Sequence, residues 1–496
     1  MRILLPEEVA LADRLTCQGQ GISSAELMER AASALSEAMR RRFPLGMKRV
    51  LVVCGPGNNG GDGLALARLL SDAAELTVFL PAGMHKTSED HRFMQSCLNP
   101  SITVAEGNIP ELAALAKESE LLVDALFGAG LNRPLEGHYA ELVRQMNAAA
   151  CFKVAVDIPS GLLPEMPENA VAFRADHVFT FHSPKPAFLI PSSADYVKEF
   201  SVLDIGLTLP PETGKDLYFQ QAEDIRLLLK ARSRFSHKGT YGHALLLAGS
   251  EGKMGAALLA ARALLRSGAG LLTVQVPACG RDVIQLGAPE AMVLPDSAEK
   301  HLSQFPDPES ISAIGMGPGI GRHPETAALL GKLMQSGKPM VLDADALNIL
   351  SGNPELLRML PENSILTPHP KEFARLSGFR GSDYTRIQAA RDFASEHKVI
   401  LILKGAYTLI CSPDGRAWFN STGNPGMAKG GSGDVLTGLL TGLLARGYAP
   451  ESAARLGVFL HGLAGDKAAA RLGMEAMLPG DLIDSLSEAW RELSFD

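Results

Sequence analysis

Asn424-Pro-Gly-Met-Ala-Lys-Gly-Gly-Ser-Gly-Asp-Val-Leu-Thr-Gly438 sets five glycines among small residues, with one acid, Asp434, where an apolar helical run begins. Glycine lets a backbone approach a ligand closely and take positive φ. The N–H groups that open the helix form an anion site, favoured by the helix dipole. A carboxylate there is comfortable alone, but it repels a phosphate bound beside it. Asp434 therefore reads as a base or a metal contact in a phosphate-handling turn. The competing reading is a glycine-rich cap with a solvated Asp.

Outward from this turn, strands and helices alternate along the whole chain, which predicts largely parallel sheets covered on both faces. Ser23 and Glu26 form a capping box ahead of a helix running to about Arg42. In the first half, strands are predicted at Arg49–Cys54, Leu76–Leu80, Leu121–Asp124, Val154–Asp157, Val178–Phe181 and Ser201–Ile205. The turn-rich stretch Pro210 to Lys215 marks a linker. A second series follows, with strands at His243–Leu247, Leu271–Val276, Ile311–Ile314, Met340–Asp343, Ser364–Leu366, Val399–Leu403 and Thr408–Cys411.

Three polar clusters end strands of the first half. Gly55-Pro-Gly-Asn-Asn-Gly-Gly-Asp-Gly63 breaks from a strand and precedes a helix starting at Leu64. Asp124 and Asp157 close two further strands, in V-D-A-L-F-G-A-G-L and V-D-I-P-S-G-L. Ligands of open α/β sheets bind outside the carboxyl ends of the strands, so the three clusters point to one crevice. The adjacent Asn58 and Asn59 add carbonyl oxygens, and such a turn suits an anion and a hard cation side by side. An isolated Asp after a strand is often only a turn cap.

The second half carries Gly315-Met-Gly-Pro-Gly319, Asp343-Ala-Asp345-Ala-Leu-Asn348, Thr367-Pro-His369-Pro370 and Lys404-Gly-Ala-Tyr-Thr408 around Asp434. Carboxylates such as Asp343 and Asp345 suit Mg²⁺, usually through water. A His between prolines is more often a structural turn residue than a catalyst. Met254 and Met427 read as packing residues.

The 496 residues include 47 Lys+Arg against 55 Asp+Glu, a net charge of −8. That balance argues against a nucleic-acid surface. Six scattered cysteines, with no C-x-x-C, argue against zinc and against a disulfide framework. No apolar run approaches the roughly 20 residues that span a membrane, and the first residues turn acidic too early for a secretory signal. The expected compartment is the cytoplasm.

G-N-N-G-G-D-G, V-D-A-L-F-G-A-G-L and D-I-P-S-G together resemble the NAD(P)H-hydrate epimerase domain, over residues 1–215. The resemblance implies a Rossmann-like fold and a K⁺ ion on Asn59, Asp124 and Ser160. It implies a substrate site of Asn58, Asn59, Gly60, Gly61 and Asp62 with Gly128, Ala129, Gly130, Leu131, Asn132, Arg133 and Pro134. Asp157 would be its acid/base. Ala129 stands where the family usually has Thr. From residue 225 to 496, H-K-G-T-Y-G-H, G-M-G-P-G, D-A-D-A-L-N, L-T-P-H-P-K-E, K-G-A-Y-T and the opening stretch resemble the ADP/ATP-dependent NAD(P)H-hydrate dehydratase, of ribokinase-like fold. Here the resemblance implies Mg²⁺ and ADP or ATP, with ADP favoured. Ala256, Gly319, His369 and Asp434 would contact the hydrate. Lys404, Gly405, Ala406, Tyr407, Thr408 and Gly433 would contact the nucleotide, and Asp434 would be catalytic. Lys371 stands where P-H-P-G-E has Gly. The implied activity is repair of hydrated NADH and NADPH in a homo-oligomer. The residues alone leave open a ribokinase-class small-molecule kinase joined to a non-catalytic ligand-binding module.

Overall fold

The computed structural model describes residues 1–43, 46, 48–84 and 86–494; residues 495 and 496, the end of the second expected domain, lie outside them. The chain forms two compact α/β units, residues 2–212 and residues 213–496 together with Met1. No helix among the described residues is long and apolar enough to cross a membrane.

The first unit is a sheet of seven parallel strands: β1 (Arg49–Cys54), β2 (Glu75–Pro81), β3 (Thr103–Gly107), β4 (Leu121–Ala125), β5 (Phe152–Val156), β6 (His177–Phe181) and β7 (Phe200–Leu203). They lie in the order β3-β2-β1-β4-β5-β6-β7, a Rossmann-like arrangement. The order reverses between β1 and β4, where doubly wound sheets open a ligand crevice. Helices α1 (Pro6–Gln20), α2 (Ser24–Arg42) and α3 (Asn58–Leu70) line a cleft together with residues that follow β5 and β6. α2 starts at the expected capping box: Ser23 Oγ accepts from the Glu26 N–H at 3.2 Å, and Glu26 Oε2 accepts from the Ser23 N–H at 2.7 Å.

α3 begins six residues earlier than the predicted Leu64, at Asn58. Its glycines are not a free loop but the means of close packing. A Cβ on Gly60 would lie 1.8 Å from the Gly55 carbonyl oxygen, and one on Gly63 would lie 2.5 Å from Ala125 Cβ. With hydrogens there, the first turns of α3 can press onto the ends of β1 and β4.

The second unit holds β8 (Leu217–Phe219), β9 (His243–Leu247), β10 (Leu271–Val276), β11 (Met292–Pro295), β12 (Ala313–Met316), β13 (Met340–Leu342), β14 (Ile365–Leu366), β15 (Ile400–Leu403), β16 (Leu409–Cys411) and β17 (Ala417–Phe419). Their order is β8-β17-β16-β15-β14-β13-β12-β9-β10-β11. β15 through β11 are parallel, whereas β16 runs antiparallel to both neighbours. This unit therefore begins upstream of the expected residue 225, because β8 pairs in parallel with β17. Its helices include α4 (Met254–Arg266), α5 (Asp345–Gly352), α6 (Pro370–Ser377), α7 (Ser432–Ala445) and α8 (Pro450–Leu472). α7 is buried continuously from Val435 to Ala445, too apolar all round for a surface helix. It touches α4 backbone to backbone: a Cβ on Gly438 would sit 2.0 Å from the Ala260 carbonyl oxygen.

Gly60→Ala should destabilise the first unit by roughly 3 kcal/mol, because backbone must move to admit the methyl. Chemical denaturation followed by a probe in that unit checks it; an unchanged midpoint would refute the packing role of the glycine.

Candidate active sites

In the first unit a cleft of about 150 Å³ opens at the carboxyl ends of the strands, lined by Asp13 of α1, Asn58 and Asp62 of α3, Asp157 after β5, and His182 and Lys185 after β6. Asp157 has φ +61, in the left-handed region that costs a non-glycine residue energy. It is over-determined there. Its N–H donates to the Phe179 carbonyl at 2.8 Å, and its Oδ1 accepts from Thr180 Oγ1 (3.1 Å) and the Phe181 N–H (3.2 Å). The buried Lys185 ammonium lies 2.8 Å from the same oxygen. Asp62 is pushed well above the carboxylate range by burial, then by the negative charges of Asp157, Asp13 and Asp90. Burial and Asp157 also raise Asp13, against the opposing Lys185. The cleft thus sets an ammonium-paired carboxylate beside two carboxyls whose pKa values are raised. Titratable groups perturbed in this way within a cleft mark a candidate functional site.

Asp124 is fully buried. Its Oδ1 accepts from Ser160 Oγ (2.6 Å) and the Leu126 N–H (3.1 Å), and its Oδ2 from the Ser160 N–H (2.7 Å). Burial pushes it up to about 6 against these hydrogen bonds, with no cationic side chain contributing. Nearby, Asn59 Nδ2 is buried without a hydrogen-bond partner, and Gly128 leaves space 3.3 Å from Asn59 Cβ. Carboxylate, hydroxyl and amide oxygens with one uncompensated negative charge fit a hard cation. A half-turn of the amide would exchange its nitrogen for its oxygen.

Of the predicted segment Asn58 to Asp62, only Asn58 and Asp62 reach the cleft. Gly60 and Gly61 are buried in packing, and a Cβ on Gly61 would meet Met28 Sδ at 2.6 Å. Gly128 to Pro134 form the loop after β4, with Asn132 and Arg133 exposed, and do not line this cleft. Sequence reasoning missed Lys185 and Asp13. Ser183-Pro-Lys-Pro186, a lysine held by prolines just past a buried strand, carries the signal for the first. Asp13 had none beyond lying on an amphipathic helix.

In the second unit Asp343, at the end of β13, joins three elements. Its Oδ1 accepts from Lys404 Nζ at 2.7 Å, just past β15, and its Oδ2 from Thr437 Oγ1 at 2.8 Å, on α7. Gly433 lies over this group: a Cβ there would stand 3.3 Å from Lys404 Nζ and 3.5 Å from Asp343 Oδ2. Asp434 follows in the first turn of α7. Burial, with Asp343 and Asp345 adding negative charge against Lys404, raises it to about 6. The turn is fixed from behind by His461, whose Nε2 donates to the Ser432 carbonyl at 2.9 Å; burial lowers its pKa to about 4 and keeps it neutral.

Ala256 and Gly319 meet, since a Cβ on Gly319 would lie 3.3 Å from Ala256 Cβ. His369 is the N-cap of α6. Its Nδ1 accepts from the Lys371 N–H at 3.1 Å, and the Glu372 carboxylate accepts from its own N–H at 2.9 Å. Nδ1 being an acceptor, the proton sits on Nε2, and burial lowers the pKa against Glu372. Lys404 to Thr408 make the tight connection between β15 and β16, closed by Thr408 Oγ1 donating to the Gly405 carbonyl at 3.0 Å. Asp345 does not share a cation position with Asp343: it faces Lys253 Nζ at 3.3 Å, and Ala344 between them takes φ +48. Met254 and Met427 pack against the core.

All six cysteines are free. Among the described residues His301, His323 and Glu325 gather ligand atoms within 4.8 Å, a cluster invisible in the spacing of the sequence. Its groups are already engaged: His301 Nε2 bonds Glu325 at 2.7 Å, and His323 Nδ1 accepts from the Glu325 N–H at 3.3 Å, capping a helix.

Residues 24–187 match the family described as YjeF-related protein N-terminus, and residues 244–488 match NAD(P)H-hydrate dehydratase. The bifunctional NAD(P)H-hydrate repair enzyme of Moorella thermoacetica is 37% identical, over 99% of this chain and 97% of that one. That of Escherichia coli is 33% identical, over 97% and 92%. The ADP/ATP-dependent NAD(P)H-hydrate dehydratase of Bacillus subtilis, co-crystallised with ATP/Mg²⁺, is 34% identical with a TM-score of 0.50, covering 56% of this chain and 99% of its own. A ribokinase-like superfamily protein from Enterococcus faecalis shares the fold of the second unit at 24% identity and a TM-score of 0.51. With both domains matched in order, and full-length relatives at this identity, the chain belongs to the family of bifunctional NAD(P)H-hydrate repair enzymes.

Proposed function

We propose that residues 1–215 interconvert the R and S hydrates of NADH and NADPH, and that residues 225–496 dehydrate the S form at the expense of ADP or ATP, with strand β8 completing the second sheet from just upstream. The observation that carries this is the meeting of Asp434, Gly433, Lys404 and Asp343 at the start of α7, in a chain with full-length repair-enzyme relatives. Those relatives weigh against a plain kinase joined to a non-catalytic module.

Hydroxide is a poor leaving group. Asp434 takes the proton of the hydrate hydroxyl, whose oxygen attacks the terminal phosphoryl group of the nucleotide. The resulting phosphate then departs with the C–O bonding pair, and the neighbouring ring carbon gives up its proton to water as the ring double bond re-forms. The N–H groups from Gly430 to Gly433 steady the phosphate charge, and Lys404 to Thr408 hold the nucleotide. Ala256, Gly319 and His369 hold the ring; a neutral His369 offers its Nε2–H as donor. Mg²⁺ bound with the nucleotide would offset phosphate charge.

In the first unit the hydroxyl-bearing carbon adjoins the ring nitrogen, whose lone pair expels the hydroxyl once it is protonated. Water returning to the other face gives the other epimer. Asp157 is the acid/base there, paired with Lys185 and flanked in the cleft by Asn58 and Asp62. Asn59, Asp124 and Ser160 would hold K⁺, whose charge balances the buried Asp124. A cytoplasmic homo-oligomer completes the reading, as the family resemblance implies.

Protein mixed with R and S hydrate, Mg²⁺, K⁺ and ADP or ATP should convert the whole mixture to NAD(P)H, read at 340 nm. The Asp157→Ala variant should stop at the S fraction. Asp434→Ala should lose about 10²–10⁴ in rate yet still bind nucleotide; unchanged turnover would refute its role as base.

Asp434 also predicts a pH signature. The folded state holds its proton more tightly than the unfolded chain does, so ionisation from about pH 4 to about pH 6 costs stability, and the cost is complete above. Asp434→Asn should melt higher than wild type near pH 8, the gap closing below about pH 4. The dehydration rate of the wild type should rise through a limb near pH 6 as the base form appears.

A further inference from the structure

Lys253, Arg322, Asp345, Asn348 and Arg375, with the Gly321 backbone, line an open cleft of about 650 Å³ in the second unit. Three cations there face one carboxylate. Asp345 Oδ2 accepts from the Gly321 N–H at 2.9 Å and pairs with Lys253 at 3.3 Å, and Arg375 donates to Asn348 Oδ1 at 2.9 Å. Among the described residues nothing pairs with the exposed Arg322. Lys371 stands one turn before Arg375 on α6 and adds a further positive charge to that side of the helix.

The chemistry at Asp434 uses none of these cations. A cleft lined by one sign of charge concentrates the opposite one, and arginine forks match phosphate geometry in particular. The position is also informative. The Lys253 carbonyl oxygen would lie 3.0 Å from a Cβ on Gly319, beside the Ala256 contact, and Gly321 is two residues further on. Arg375 sits on the helix that His369 caps and lies near enough to lower the pKa of that imidazole. The cleft therefore adjoins the positions assigned to the nicotinamide ring and is built for an anion.

Resting on the hydrate reading above, we propose that this cleft is the phosphate subsite for the hydrated dinucleotide, in which Arg322 and Arg375 grip a phosphate ester while the ring reaches Ala256, Gly319 and His369. Both the 2′-phosphate of the NADPH hydrate and the pyrophosphate of either hydrate have this chemistry. Binding here lowers KM without entering the chemical step, so the arginines are positioning residues.

The test is steady-state kinetics of Arg322→Ala, Arg375→Ala and the double variant on S-hydrate of NADPH and of NADH, at saturating ADP. KM should rise about tenfold per arginine with kcat within about twofold, and Arg375→Lys should recover part of the loss because it keeps charge without the fork. A rise confined to the NADPH hydrate assigns the 2′-phosphate; a rise for both assigns the pyrophosphate. Hydrate KM values within about twofold of wild type, or a rise in the KM for ADP alone, would overturn the subsite while leaving the functional reading intact. A wild-type protein that turns over neither hydrate would overturn both.

Discussion

The ion pair between Asp343 and Lys404, closed by Thr437, is the constraint on which the second active site depends. It ties the ends of two parallel strands to the first turns of a buried helix, with contacts of 2.7 and 2.8 Å. Because Asp343 is 2% exposed, an unpartnered carboxylate there would carry a large desolvation cost. The pair meets that cost, and it also fixes where the glycine-rich turn must lie. A Cβ on Gly433 would touch the pair itself, 3.3 Å from Lys404 Nζ and 3.5 Å from Asp343 Oδ2. Once the turn is placed, Asp434 is buried beside this pair, and its pKa is raised first by that burial and then by Asp343, against Lys404.

The first unit repeats this logic on a different fold. Asp157, just past a strand, is bound by Lys185 at 2.8 Å, and Asp62 near the start of α3 is held above its usual range partly by that anion. In both units a strand-end aspartate is paired with a lysine. A second aspartate, early on a helix, then has its pKa raised by burial and by that nearby negative charge. Placement alone thus gives one residue type two different surroundings at each candidate site.

Much of this was legible in the sequence, for physical reasons that can be named. Buried parallel strands such as Arg49–Cys54 and His243–Leu247 are continuous apolar runs, and their observed ends coincide with the expected ones. β3 and β11 are largely exposed, and β8 and β17 are three residues each, so periodicity does not mark them. Glycines misled at α3, where they serve packing inside a helix rather than a free loop. His369 reads as a rigid turn but proves to be a helix cap, a role usually taken by Ser, Thr, Asp or Asn. Lys185 and Asp13 escaped notice because what defines them is proximity to Asp157 across the fold, which no local pattern carries.

The placement of charge also bears on why two activities occupy one chain. Each site depends on negative groups kept close together, and each offsets them with few cations. Asp124 has hydrogen bonds alone and Asp157 has one lysine, while Asp343 and Asp345 have one lysine each. Sites so sparing in positive charge would hold a highly anionic dinucleotide weakly at the reacting ring. A substrate whose hydroxyl carbon must be inverted in one unit before removal in the other needs release from the first site as much as capture by the second. Weak grip on the ring, with separate recognition of the phosphates away from the reacting carbon, satisfies both demands, because it lets binding energy come from the part of the molecule that the chemistry leaves unchanged.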